Sequence, residues 1–259
     1  MSYNLSGGNI EDFEYYIEKH QRKKERKERK HTQQSGMKLE EIEPLTYTQR
    51  MAFESYGSGN QIVLHGCAGT GKTFLSLYLG IRDVLEKVDG KQKVIIVRSV
   101  VPTRDMGFLP GNITEKTKVY EAPYRDLLAG MFNRGDAYDI LKNKGKIEFV
   151  TTSFIRGQTW DDAIIMVDEA QNLSFQELHS VITRVGENSR IILCGDGKQD
   201  DLTSERFKES SGLSQFLNIL TNMESFDIIN FQTDDIVRSG LVREYILACE
   251  NLNTKQIYN

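Results

Sequence analysis

Hydrophobic residues along the chain form six short, unbroken runs, separated by longer stretches whose apolar residues have helical spacing. The runs predict strands at residues 61–65, 94–98, 147–150, 163–167, 190–194 and 226–230. The helical stretches predict helices at residues 48–56, 74–87, 119–133, 136–143, 175–184, 212–222 and 237–250. Continuous apolar strands between helices are typical of a mostly parallel sheet covered on both faces. The pattern therefore predicts an α/β fold, in which ligands bind at the carboxyl ends of the strands.

The first predicted strand runs directly into a glycine-rich segment of the form G-x-x-x-x-G-K-T, and helical spacing resumes right after it. Strand, glycine turn and helix form the context that a phosphate-binding loop requires. Backbone N–H groups and the helix N-terminus bind phosphates, while Lys72 reaches the β- and γ-phosphates and Thr73 helps to hold Mg²⁺. The residues predicted to bind the nucleoside triphosphate are Gly66, Cys67, Ala68, Gly69, Thr70, Gly71, Lys72 and Thr73.

A pair of carboxylates, Asp168 and Glu169, follows the predicted strand at residues 163–167. Asp168 is predicted to hold Mg²⁺ together with Thr73, either directly or through water. Glu169 is predicted to orient and deprotonate the attacking water as a general base. A glutamate at this position favours hydrolysis over phosphorylation of a small molecule, because a kinase needs an acceptor site rather than a polarised water.

Three further polar residues stand in an order that predicts contact with the nucleotide. Gln199, which follows the strand at residues 190–194, is predicted to sense the γ-phosphate. Gln49 precedes the loop and can both donate to and accept from an adenine edge, so it predicts ATP rather than GTP. Arg238, at the start of the last predicted helix, is predicted to act as an arginine finger. The alternative for each is an ordinary solvated or ion-paired residue.

The composition restricts the class of protein. With 39% hydrophobic and 27% charged residues, the chain fits a globular core with a charged surface. No stretch approaches the roughly 18 consecutive apolar residues of a membrane span, and the first residues lack a signal-peptide core, so we expect the cytoplasm. The three cysteines are far apart, which argues against a disulfide framework or a zinc site.

Residues 1–36 differ from the rest of the chain in charge. Residues 19–30 contain eight Lys and Arg residues against two Glu residues, a net charge of +6, although the whole chain carries −4. The pattern predicts a charged N-terminal helical arm and linker at 1–36, followed by an ATPase domain at 37–259. A basic arm on an acidic body can meet nucleic acid electrostatically, and the alternative is a solvated helical face or a tail without fixed structure.

These motifs, in this order, resemble those of the PhoH-like proteins, a family of ATPases related to superfamily 1 helicase cores. The segments that carry the resemblance lie at residues 66–73, 101–111, 156–159, 168–172, 195–202 and 235–238. The Gly-Phe-Leu-Pro-Gly segment at 107–111 is far more specific to this family than the phosphate loop. The resemblance implies a P-loop NTPase with a RecA-like, helicase-like core that uses ATP and Mg²⁺. The short chain is similar to bacteriophage members, whose compartment is the host bacterial cytoplasm.

The same resemblance implies a link to RNA or single-stranded nucleic acid. Four residues at or just after predicted strand ends are candidates for contacts to the nucleic-acid backbone: Arg98, Thr103, Arg104 and Arg156. Such contacts are sequence-tolerant and salt-sensitive. The alternative is that these arginines serve ATP or internal ion pairs. Phe108 and Tyr124 could stack on bases, although aromatic residues near a core more often pack. No segment supplies the acidic cluster of a PIN-type nuclease domain, so nuclease activity is not implied.

Two functions remain open at this point. The first is Mg²⁺-dependent ATP hydrolysis coupled to binding, movement on or remodelling of single-stranded RNA or DNA. Because a single core offers no second lobe, we expect a homo-oligomer such as a hexameric ring, which would place Arg238 of one subunit against the neighbour's γ-phosphate. The second is an ATP-dependent switch that acts through a protein partner, with residues 11–31 as a docking helix. A small-molecule kinase is a weaker third reading, because no acceptor site is evident.

Overall fold

The computed structural model describes residues 37–99, 113–196 and 212–257. The strands are β1 (Gln61–Gly66), β2 (Lys93–Arg98), β3 (Ile147–Thr151), β4 (Ala163–Asp168), β5 (Arg190–Gly195) and β6 (Phe226–Phe231). The helices are α1 (Tyr47–Gly57), α2 (Lys72–Glu86), α3 (Ile113–Phe132), α4 (Ala137–Asn143), α5 (Phe175–Ile182), α6 (Leu213–Leu220) and α7 (Gly240–Ile257). None of these helices, within the described ranges, combines the length and hydropathy needed to cross a membrane. The arm at 1–36 and the predicted site residues Gln199, Thr103 and Arg104 lie outside the described residues, as does Phe108.

The six strands form one parallel sheet in the order β3-β2-β4-β5-β1-β6. Because all strands point the same way, their carboxyl ends meet at one edge. Strand register sets Arg98 beside Asp168, His65 beside Gly195, and Gly66 beside Phe231. The prediction of an α/β fold with a parallel sheet is confirmed, and the end of the phosphate-loop strand shares an edge with the predicted carboxylates.

Helices cover both faces of the sheet, since successive residues of a strand point to opposite sides. In β1, Ile62 and Leu64 pack into the core cluster under α1–α4, while Val63 packs into the cluster under α5 and α6. All three side chains are at most 1% exposed. This two-sided burial explains why the strands read as unbroken apolar runs rather than alternating ones.

The last helix begins at Gly240, so the prediction that it starts at 237 with Arg238 in its first turn is wrong. Instead, residues 233–235 form a 3₁₀ turn, in which the Asp235 carboxylate accepts the backbone N–H of Gln232 at 2.9 Å. Beyond the turn, the N–H of Val237 donates to the carbonyl of Gly69 at 3.1 Å. This contact ties the segment between the turn and the helix to the phosphate loop.

Candidate active site

The phosphate loop is held open by glycines and tied to the neighbouring strand. Gly66, Gly69 and Gly71 have φ angles of 109°, 75° and 87°, in the left-handed region that favours glycine. A Cβ atom on Gly66 would lie 2.2 Å from the carbonyl oxygen of Phe231, so no side chain fits there. The N–H of Cys67 donates to that same oxygen at 2.9 Å. The fixed shape of the loop therefore requires glycine at its first position.

Lys72, the first residue of α2, places its ammonium group against the loop. Its Nζ donates to the carbonyl oxygens of Gly66 at 2.8 Å and Cys67 at 2.6 Å. Burial lowers the pKa of Lys72, although nearby carboxylates such as Asp196 act in the opposite direction. A partly buried cation whose bonds within the described ranges go to backbone carbonyls can exchange those bonds for phosphate oxygens.

The structure brings Thr73 and Asp168 together, although they lie 95 residues apart in the chain. The Thr73 hydroxyl donates to Oδ1 of Asp168 at 2.9 Å. A hydroxyl and a carboxylate are oxygen ligands of the kind that Mg²⁺ takes, with phosphates and waters completing its shell. The described residues contain no group of three His, Cys, Asp or Glu side chains that could hold a metal alone. The donor set therefore fits a magnesium ion that arrives with a nucleotide.

Asp168, at the end of β4, is buried and engaged on both oxygens. The hydroxyl of Tyr124 on α3 donates to Oδ2 at 2.7 Å, opposite the Thr73 bond to Oδ1. Burial raises the pKa of Asp168, and the charge of Glu169 adds to this, while the two hydroxyl donors and Arg98 oppose the rise. Tyr124 is fully buried, so the interpretation that it stacks on bases is wrong.

Arg98 ends β2 beside Asp168 and is half-buried. Burial acts to lower its pKa, but Tyr124, Asp168 and Glu169 together raise it, so its guanidinium lies among these groups. This placement matches the alternative of an internal partner rather than a contact with nucleic acid. By contrast, Arg156 is exposed just after β3, at the outer strand of the sheet, and forms no ion pair with any residue in the described ranges.

Glu169 follows Asp168 with a φ of 52°, in the left-handed region, which non-glycine residues rarely adopt. The amide of Gln171 donates to Oε2 of Glu169 at 2.6 Å. The oxygen of the same amide accepts the backbone N–H of Asp196 at 2.9 Å. These two bonds link Glu169, the predicted base, to Asp196 at the end of β5, from which the sequence continues to Gln199. Gln171 itself is only 2% exposed.

Gln49 lies on α1 and braces the phosphate loop. Its side-chain oxygen accepts the N–H of Leu45 at 2.8 Å, and its side-chain nitrogen donates to the carbonyl of Thr70 at 3.0 Å. The residue is 3% exposed. In this conformation the amide oxygen and one N–H are already used, so reading both polar groups of an adenine edge would require the side chain to release a bond.

Arg238 lies beside the phosphate loop of its own chain. A Cβ atom on Gly69 would lie 3.1 Å from Cγ of Arg238 and 3.0 Å from Cδ1 of Ile246 on α7. Together with the bond from Val237 to Gly69, this contact holds the backbone and Cγ of Arg238 at the loop. The side chain is exposed, and it forms no ion pair with a carboxylate of the described residues.

Two residues of the site were not predicted to act there. Tyr124 lies on a different helix from every motif, and no local pattern signals its bond to Asp168. Gln171 belongs to the Asp-Glu-Ala-Gln segment that carried the family resemblance, so a signal existed, but only the structure shows what its amide contacts.

Known proteins were compared with this chain and this fold. The family model described as PhoH-like protein matches residues 41–250. Protein PhoH2 of Bacillus subtilis is 39% identical over 166 residues, which are 62% of this chain and 37% of that protein. The PhoH-like protein of Mycobacterium bovis is 31% identical over 208 residues, 80% of this chain and 57% of that protein. The chain spans less than two thirds of the length of each of these relatives.

Among solved structures, the large terminase of a thermophilic bacteriophage covers 78% of this chain and 49% of its own, with 12% identity and a TM-score of 0.45. The Pif1 helicase of Candida albicans covers 73% of this chain and 40% of its own, with 14% identity and a TM-score of 0.33. At these TM-scores the similarities do not indicate a function.

Proposed function

Because the chain belongs to the family of PhoH-like proteins, we propose that it binds ATP with Mg²⁺ and hydrolyses it at the carboxyl edge of the sheet. The observation that carries the proposal is the 2.9 Å hydrogen bond from Thr73 to Asp168 beside the phosphate loop. A P-loop ATPase needs these two groups within reach of one magnesium ion.

Each residue of the site has a role in the proposed reaction. Lys72 exchanges its bonds to loop carbonyls for bonds to the β- and γ-phosphate oxygens. Thr73 and Asp168 would hold Mg²⁺, which, when bound, neutralises charge on those oxygens. Glu169 takes a proton from the water whose oxygen attacks the γ-phosphorus, while the bond from that phosphorus to the bridging oxygen breaks. ADP and phosphate then leave.

The environment of Glu169 supports a base held in a chosen orientation. Its left-handed backbone and the bond from Gln171 restrict the carboxylate, and that bond leaves the second oxygen available to a water. The decisive test is phosphate release from ATP in Mg²⁺ and in EDTA. We expect turnover only with Mg²⁺, and transfer of the phosphate to a metabolite rather than water would instead indicate a kinase.

Arg238 is proposed to stabilise the γ-phosphate from within its own subunit. Its Cγ packs on Gly69, which supports this in-chain role over delivery to a neighbour. Self-association is a separate part of the proposal. Helix α7, which follows Arg238, exposes three large apolar side chains, Leu241, Val242 and Tyr245, at 79%, 51% and 68%. Light scattering of the purified chain tests self-association, and a monomer with full turnover would contradict it.

The ATPase is proposed to be coupled to single-stranded RNA or DNA. The exposed Arg156 and the 54% exposed ring of Phe154 lie together after β3, at the same edge as the nucleotide site. An exposed cation and ring offer one backbone contact and one stacking surface. We expect single-stranded nucleic acid to raise turnover at low salt and to lose that effect as salt increases. No response to either polymer would favour an ATP-dependent switch that acts on a protein partner.

A further inference from the structure

Asp168 has two hydroxyl partners, one from the phosphate loop side and one from a distant helix. It is 3% exposed, and its two oxygens accept hydrogen bonds from neutral hydroxyl groups, Thr73 at 2.9 Å and Tyr124 at 2.7 Å. A buried carboxylate needs a donor on each oxygen to replace lost water. Thr73 belongs to the nucleotide loop itself, whereas Tyr124 comes from a helix that carries no other proposed site residue among those described.

Tyr124 is more deeply buried than Thr73. It is completely buried in the core cluster under α1–α4, where it packs with Leu128, and its ring lies 5.9 Å from that of Phe149 on β3. A ring that is closely packed on all sides does not change rotamer without disturbing the core. The Tyr124 hydroxyl is therefore a fixed point at the edge of the sheet, to which Oδ2 of Asp168 is hydrogen-bonded.

We propose that Tyr124 is a positioning residue for magnesium: its hydroxyl anchors Oδ2 of Asp168, so that Oδ1 stays aligned with the Thr73 hydroxyl. This inference rests on the proposed function, because it assigns a role toward the Mg²⁺ that the nucleotide brings. The Thr73 hydroxyl can donate its proton to Asp168 while its lone pairs face the ion, so the orientation of Thr73 depends on Asp168. Tyr124 acts through this chain and does not contact the nucleotide.

The alternative is that Tyr124 only fills space and supplies one hydrogen bond that replaces a water lost by the buried carboxylate. The two roles differ in what they predict for nucleotide binding. A purely structural residue affects binding with and without metal alike, because it acts on the folded state. A positioning residue affects only the part of the affinity that Mg²⁺ adds.

The test measures affinity for a non-hydrolysable ATP analogue, by titration calorimetry, in MgCl₂ and in EDTA. Tyr124→Phe keeps the ring and removes the hydroxyl. We expect the ratio of the two affinities to fall about 10-fold or more, in line with the loss of an outer-shell partner. The affinity in EDTA should stay at the wild-type value, which also reports that the variant is folded.

Tyr138→Phe is the matched control. Tyr138 is as deeply buried as Tyr124 and lies on the neighbouring helix α4, but its ring packs on Arg125, whose guanidinium carbon is 4.6 Å from the ring centre. Its ratio should equal that of the wild type. The proposal is overturned if the two variants have the same ratio, or if Tyr124→Phe loses affinity equally in both solutions. A wild-type protein that gains no affinity from Mg²⁺ would reject the proposed function and this inference with it.

Discussion

The two edges of the sheet both bury charged side chains, but they hold them in different ways. At the carboxyl edge, Lys72 bonds to backbone carbonyls and Asp168 bonds to two hydroxyls. Within the described ranges, which include all three residues, Lys72 forms no ion pair with Asp168 or Glu169. The hydrogen bonds that hold Lys72 and Asp168 therefore come from uncharged groups, although Arg98 lies close to Asp168.

At the amino edge, charges meet one another. Arg190, the first residue of β5, lies 3.7 Å from Asp83, and Arg82 approaches the other oxygen of Asp83 at 3.2 Å. Arg190 also donates to the carbonyls of Tyr56 at 2.6 Å and Asn60 at 2.7 Å. Its guanidinium carbon lies 3.7 Å from the centre of the Tyr56 ring. This arginine connects α1, α2 and the turn before β1 to β5, and its charge stabilises contacts within the fold.

The comparison teaches that burial of a charge does not by itself identify a functional group. Removing one partner of a buried ion pair leaves an uncompensated charge and costs several kcal/mol, whereas the neutral partners of Lys72 and Asp168 are groups that a charged ligand can replace. The two edges should therefore respond oppositely to mutation: changes at the carboxyl edge should abolish activity in a stable protein, and changes at the amino edge should destabilise an active one.

The largest expected effect is at Glu169. Glu169→Gln removes the proposed general base but keeps the size of the side chain, so turnover should fall by about 10² to 10⁴-fold. Affinity for ATP and the urea midpoint of unfolding should not change. Single-turnover phosphate release measures the first quantity. Glu148→Gln, which alters a surface partner of Lys93 on β3, is the control and should keep full turnover. Normal turnover in Glu169→Gln would remove this residue from the mechanism.

The opposite response is expected at Arg190. Arg190→Met keeps the aliphatic length but leaves Asp83 and two backbone carbonyls without their buried partner, which should lower the free energy of unfolding by about 3–5 kcal/mol. Turnover per folded molecule should stay at the wild-type value, because the residue is at the edge away from the site. Urea unfolding and ATPase assays at 10 °C measure the two quantities. A loss of turnover without a loss of stability would contradict the division between the edges.

Lys72→Ala should separate binding from stability at the carboxyl edge. Loss of the phosphate donor should reduce turnover by about 10² to 10³-fold. Its removal costs two hydrogen bonds to loop carbonyls, so the unfolding free energy should change by only about 1 kcal/mol. Lys93→Ala, at the surface of β2, is the control for turnover. Strong destabilisation by Lys72→Ala would show that the loop depends on its lysine for folding.

The sequence predicted the fold, and the proximity of Thr73 and Asp168, for one physical reason. Strands buried on both faces are continuous apolar runs, so all six were visible, and parallel strands end at one edge, so the phosphate loop and Asp168 had to meet there. The bond between Thr73 and Asp168 follows from these two patterns together. No detailed knowledge of packing was needed.

The remaining features depend on packing between distant elements. The bond from Tyr124 to Asp168 depends on how α3 packs against the strands, which no local pattern encodes. Arg238 lies before α7 rather than in it, in a segment that the bond from the N–H of Val237 to Gly69 ties to the phosphate loop. Helical spacing in the sequence does not register a contact with another part of the chain.

The smallest expected effect is at Gln49, which tests whether a residue at the carboxyl edge can have a purely structural role. Its amide is held by Leu45 and Thr70, which makes it a structural brace located at the functional edge. Gln49→Ala leaves these two backbone groups without partners and should loosen the loop, so the affinities for ATP and GTP should fall together by a few-fold. Their ratio should change by less than about threefold, since one free N–H distinguishes the bases weakly. Parallel titrations with the two nucleotides measure this ratio, with the exposed Gln92→Ala as the control. Selective loss of ATP binding would instead mean that the side chain leaves the loop to read adenine, and the brace would then describe only the nucleotide-free protein.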